Sequence, residues 1–202
     1  MANPSEVTAS KAPRRLRSDA ARNHQAVLAA ARALYAESGL GVGFEEIARE
    51  AGVGVGTVYR RFPDRESLLD ALFADRLASV TALAEQALEA ADAWLGLEHF
   101  IVDSVRMFTE DRGLREIAFD PTEPYPGVIG QRRRLAELLG QVTDRAHRAG
   151  VLRTDCRAQD VATIIAMLAH AAALATSGAA WASEASAARC TDFVVAGLRP
   201  SP

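Results

Sequence analysis

Lysine is nearly missing from this chain of 202 residues: Lys11 is the only one among 23 basic side chains, all the others being arginine. No structural need keeps lysine off a solvated surface, so the bias reads as the codon usage of a GC-rich genome. Cysteine is scarce too. Cys156 and Cys190 are too few for a disulfide framework and too far apart for a Cys-x-x-Cys motif, so two free thiols in a reducing cytoplasm are expected. With only 8 Pro and 14 Gly beside 49% hydrophobic residues, collagen-like and disordered chains are excluded. The usual signatures of catalysis are missing as well: no Gly-x-Ser-x-Gly elbow, no His-Glu-x-x-His, no Gly-rich phosphate loop, and four scattered histidines, His24, His99, His147 and His170. Neither an enzyme nor a bound metal or cofactor is expected.

Residues 1–11 are polar and small, without the apolar stretch of a secretion signal. Residues 161–182 carry no Asp, Glu, Lys or Arg and approach the roughly 20 residues that cross a bilayer. Alanine dominates them, however, and Thr163, His170, Thr176, Ser177 and Gly178 interrupt them, which favours a helix buried on most sides over a membrane span.

The periodicity present is helical throughout, with no bounded Val/Ile/Thr alternation, so the fold class is all-α. An arm to about residue 16 is expected to be mobile, with a basic cluster at Lys11, Arg14, Arg15 and Arg17 that can reach a minor groove or simply stay solvated. From Ser18 as N-cap, Val27, Leu28, Ala31, Leu34 and Tyr35 form one buried face and Gly39 ends the helix. Short helices follow over 44–51 and 56–62. Pro63 stops the second of these, and Asp64 caps a long fourth helix reaching about Leu88 and ended by Gly96. Further helices are predicted over 97–108, 114–119, 128–149, 158–175 and 183–198, with a loop over 120–127 that holds three prolines.

Three helices within residues 18–63, the last two separated by Gly52-Val53-Gly54, have the spacing of a helix-turn-helix with its core over 43–62. Small turn residues allow the third helix to cross the second closely, and Ile47, Val53, Val58 and Phe62 form the wedge between them. Thr57, Arg60 and Arg61 then share an outward face. There an arginine can donate two hydrogen bonds to guanine in a major groove, worth about 1 to 3 kcal/mol of discrimination. Net charge adds little, because residues 1–75 hold ten basic and ten acidic side chains.

The string from Ile47 through Tyr59-Arg-Arg-Phe-Pro-Asp-Arg65 to Leu69 resembles the signature of TetR-family transcriptional regulators, and the likeness runs back through residues 26–39. Strings over 132–139 and 149–155 resemble the SbtR-like branch of that family. The resemblance implies a three-helix DNA-binding head over 18–75 on a larger helical bundle, 76–202, that receives a ligand and dimerises. It implies base or groove contacts from Val55, Gly56 and Thr57, phosphate contacts from Tyr59, Arg61 and Arg65, and either kind from Arg60. Gly43 departs from the pattern, standing where the family usually has a threonine or serine that caps the second helix and touches phosphate. Gly54 replaces a frequent serine.

The expected partners are double-stranded operator DNA, a second copy of the chain and a small organic effector, with no membrane. Effector binding would tilt the fourth helix, carry Arg65 and the head with it, and so release a roughly palindromic operator. Phe100 and Met107 share one helical face, with His99 beside Phe100; Thr163, Met167 and His170 share another, which makes these six the pocket candidates. His170 is also readable as a core histidine. Trp94, Phe119, Tyr125 and Trp181 fit either a cavity wall or ordinary packing. The alternative to a regulator is a protein-interaction module that uses the same helix-turn-helix without ligand control.

Overall fold

A computed structural model describes residues 12–119, 125–178 and 183–200, with side chains from residue 21 onward. Among the described residues there are nine α-helices and no strand. They run α1 (Ala12–Ser38), α2 (Phe44–Glu50), α3 (Val55–Arg61), α4 (Arg65–Glu89), α5 (Ala93–Glu110), α6 (Arg112–Phe119), α7 (Pro126–Arg148), α8 (Ala158–Thr176) and α9 (Glu184–Ala196).

The first three helices make a head around Val27, Ala31, Tyr35, Ile47, Val58 and Phe62. α4 leaves it and runs 25 residues into a bundle, packing most extensively on α7 and α5, while α5 meets α8 and α8 meets α9. The boundary placed between residues 75 and 76 falls inside α4, which passes unbroken from head to bundle. The bundle core is aliphatic and aromatic, with Leu77, Leu97, Ile101, Leu114 and Ile117 almost without exposure. Both cysteines are free, Cys156 buried and Cys190 exposed.

Three expectations change. The mobile arm does not extend to residue 16: α1 begins at Ala12, so Arg14, Arg15 and Arg17 lie on its first turns, while Lys11 falls outside the described residues. Gly96 does not end α4. It sits inside α5, whose N-cap is Asp92, the carboxylate accepting from the backbone N–H groups of Trp94 (2.7 Å) and Leu95 (2.9 Å). A Cβ at Gly96 would lie 2.5 Å from the Ala87 carbonyl oxygen, so this glycine allows α4 and α5 to touch backbone to backbone.

The third change concerns α8, which is buried along one side only, through Val161, Ile165, Leu168 and Ala169. It is apolar and long enough to cross a bilayer by length and composition, and only 22% of its apolar window is buried. Met167 is 65% exposed and Leu174 47%, and Phe193 of α9 is 71% exposed. Alanine-rich composition had suggested an enclosed helix. Alanine suits close packing against any partner, within the chain or outside it, so composition alone does not say which.

Candidate nucleic-acid interface and effector cavity

α2 ends in a Schellman turn: Gly52 N–H donates to Arg49 O (3.2 Å) and Val53 N–H to Ala48 O (3.0 Å). Gly52 is required there by its left-handed backbone, φ +66°. The close crossing expected of the turn glycines is not why they are present, because a Cβ at Gly52 or Gly54 would meet nothing within 4 Å. α2 starts at Gly43, which has no side chain to cap with; the Glu46 carboxylate reaches back to the Gly43 N–H at 3.3 Å instead. α4 starts at Asp64, whose carboxylate accepts from Ser67 N–H at 2.7 Å.

These ends set the rotation of α3. Val58 faces fully inward and Phe62, just past the helix end, is buried, while Val55, Gly56, Tyr59, Arg60 and Arg61 are exposed and Thr57 is half-buried. Arg65, at the start of α4, is exposed beside them. The Tyr59 ring stands edge-on against Phe44 of α2, centroids 4.9 Å apart, which fixes it across the mouth of the motif. Six of the seven residues expected from helices three and four are therefore solvent-exposed, Thr57 being the exception. The side chains of Arg14, Arg15 and Arg17 lie outside what is described.

His24 of α1 was not among the candidates. Its Nδ1 accepts a hydrogen bond from Arg61 Nε at 2.9 Å, and its ring stacks on Phe62 at 5.5 Å. Burial, with the Arg61 charge as the second cause, lowers the affinity of this imidazole for a proton. The contact spans 37 residues of chain, and no local spacing could have flagged it.

The bundle helices line a cavity of about 390 Å³ that opens to the surface. Leu77 and Val80 of α4, Phe100, Ser104 and Phe108 of α5, Phe119 of α6, Arg132 of α7 and Ile165 of α8 are among its walls. Of the six pocket candidates only Phe100 is one of them. His99 lies beside a smaller cleft with Phe100 and Asp103, and Met107 is half-buried against the core. Thr163, Met167 and His170 stand on the exposed side of α8.

His170 is thus not a core histidine; its Nδ1 lies 2.9 Å from Ala166 O and its ring 6.2 Å from Phe119. Helical periodicity grouped these three residues correctly on one face, but the apolar side of α8 that turns inward is the other one. Trp94 and Tyr125 are buried packing residues, and Trp181 falls outside the described residues.

Two links join cavity and head besides α4. α6 contributes Ala118 and Phe119 to the cavity, and its Glu116 carboxylate accepts the Leu40 N–H, in the α1–α2 turn, at 2.7 Å. α6 also lies hard against α1, because a Cβ at Gly113 would come 2.9 Å from Tyr35 O and 2.8 Å from Phe73 Cζ. On the other side, Arg132 Nη2 donates to Ile117 O, so a cavity wall in α7 holds the C-terminal end of α6.

A helix-turn-helix with an exposed third helix, carried on a long helix that also walls a cavity in the bundle, is the architecture of a DNA-binding regulator. Residues 27–72 match the family model described as bacterial regulatory proteins of the tetR family. The chain is 31% identical to a TetR transcription regulatory protein from Mycobacterium vanbaalenii, covering 91% of this chain and 99% of that one at a TM-score of 0.58. It is 30% identical to a TetR transcriptional regulator from Streptomyces coelicolor, with 88% and 99% covered and a TM-score of 0.61. A fatty acid degradation regulator from Bacillus halodurans shares the fold at 17% identity, with 87% and 100% covered and a TM-score of 0.63. No curated protein matches the chain. The chain belongs to the TetR family of transcriptional regulators, and with that the enzyme reading falls away.

Proposed function

We propose that this protein is a cytoplasmic, dimeric repressor that binds a roughly palindromic operator and leaves it when a small molecule occupies the bundle cavity. The observation that carries the reading is the face of α3, where Tyr59, Arg60 and Arg61 are exposed around a fully buried Val58. Such a face fits a major groove, with arginines for guanine edges and phosphates. Arg65 extends it along the backbone, and Arg14, Arg15 and Arg17 on the first turns of α1 add cations for phosphates.

Pairing is supported by Met167 and Leu174 on α8 and Phe193 on α9, large apolar side chains left exposed as at an interface. A two-fold axis there presents two recognition helices, which read successive major grooves when about 34 Å apart. Release follows from the links to the head. A molecule pressing on Phe119 moves α6, and Glu116 with it, at the turn that enters α2, while pressure on Leu77 and Val80 tilts α4. The effector shifts the equilibrium only by its differential affinity for the two arrangements, and DNA weakens effector binding by the same factor.

Operator selection from random DNA, then titration of the enriched duplex at two salt concentrations, tests this reading. An inverted repeat with steep salt dependence is expected, and Arg60→Ala or Tyr59→Ala should lower affinity roughly tenfold or more while the dimer persists. No enrichment at low salt, from protein stripped of bound molecules by refolding, would favour the interaction-module alternative.

A further inference from the structure

The cavity wall holds a hydroxyl that the fold leaves unused. Ser104, in the middle of α5, is fully buried and lines the cavity, yet its Oγ has no hydrogen-bond partner. Other hydroxyls in the bundle are satisfied by the carbonyl four residues earlier: Thr81 on Leu77 O (3.0 Å), Thr109 on Val105 O (2.7 Å) and Thr143 on Leu139 O (2.8 Å). The buried Asp111 is engaged too, by Leu114 N–H at 2.8 Å and by Arg76. Leaving a buried hydroxyl without a partner is costly, and native proteins rarely do so without a reason.

Around Ser104 the walls are Leu77, Val80, Phe100, Phe108 and Phe119, and the volume lies within the range of small-molecule sites, about 300 to 1,000 Å³. The ionisable group among the wall residues is Arg132, a cation, so a positively charged ligand is disfavoured. We infer that the effector is a compact, largely apolar molecule carrying a hydroxyl or carbonyl oxygen that pairs with Ser104, and that it is not a cation. This rests on the effector role of the cavity proposed above, and specifies its chemistry.

The experiment uses the full-length protein and probes that differ by one group: naphthalene, 2-naphthol and 2-naphthylmethylammonium, with 1-decanol as an oxygenated probe of another shape. Binding is read by calorimetry. At least one alcohol should bind, 2-naphthol should exceed naphthalene about tenfold, the value of one hydrogen bond, and the ammonium probe should be weakest. Ser104→Ala should abolish the preference for 2-naphthol over naphthalene and raise the melting temperature of the unliganded protein by about 2 °C, since it removes the unsatisfied hydroxyl.

Equal binding of naphthalene and 2-naphthol, a preference unchanged in Ser104→Ala, or no binding by either alcohol would overturn the inference. Operator affinity is measured separately with and without the bound alcohol. Oxygen-dependent binding that leaves operator affinity unchanged would uphold the ligand chemistry and sink ligand-relieved repression instead.

Discussion

The head and the bundle reach the same all-helical state by different means. α2 and α3 have seven residues each, well below the roughly 12 to 15 at which an isolated helix becomes even marginal in water. They persist because a left-handed glycine, the Glu46 carboxylate on the Gly43 N–H and a few inward side chains hold them. Each of those positions tolerates few residue types, so the string that encodes the head is narrow. α4 and α7 have 25 and 23 residues and are held by long faces, where one aliphatic side chain replaces another at modest cost. Where stability comes from particular geometry the sequence spells out function, and where it comes from area it spells out only a fold class.

The bundle's outward face offers the largest perturbation of that contrast. Met167→Glu combined with Phe193→Glu should dissociate the proposed dimer in sedimentation equilibrium and weaken operator binding by about 100-fold or more, since two linked heads gain 10²- to 10⁴-fold over one. The isolated subunit should keep its helical circular dichroism. Retained dimers would move the interface elsewhere.

Gly113→Ala attacks the junction between the two regions. Its Cβ would press on Tyr35 and Phe73, an overpacking that costs about 1 to 3 kcal/mol. Thermal unfolding should shift down by roughly 3 to 10 °C. An unchanged melting temperature would mean that α6 is not tightly seated on α1.

Gly52→Ala confines the effect to the head. No atom lies within 4 Å of the new Cβ, but φ of +66° costs an alanine about 1 to 2 kcal/mol. Amide exchange should quicken in α2 and α3 and stay unchanged in α5 and α7; uniform quickening would show that head and bundle unfold as one unit.

The smallest effect concerns His24. Its imidazole is held below the ordinary 6.5, so the unfolded chain binds more protons than the folded one as pH falls through 6.5. This residue's contribution is therefore intact above that pH and declines below it. An NMR titration should give a midpoint under 6.5 that rises in Arg61→Gln, and a midpoint unmoved by that substitution would remove Arg61 as a cause.

Most helix positions were legible from periodicity and punctuation, including the Asp64 cap and the stop at Pro63. Gly96 misled because a glycine that ends a helix and one that lets two helices touch look alike along the chain; only the Ala87 carbonyl opposite distinguishes them. The exposed residues of α3 were legible because they are packed into one short motif with an internal period. The cavity was not, since its walls come from five helices, α4 to α8, and of the six pocket candidates only Phe100 belongs to it, joined by Phe119, which spacing had left between cavity wall and packing.

Thr163, Met167 and His170 show the limit well. Spacing placed them together, and spacing cannot say whether a face looks inward or toward another molecule.

By itself, then, the sequence determined an all-helical chain, a helix-turn-helix and the rotation of its reading helix, because local caps and a 3.6-residue period act over a few residues. Tertiary structure alone decided which side of α8 is buried, that His24 holds Arg61, that Glu116 meets the α1–α2 turn and that Ser104 is left unpaired in a cavity. Those contacts join residues far apart in the chain, and burial and hydrogen bonding depend on what arrives from elsewhere rather than on neighbours in sequence.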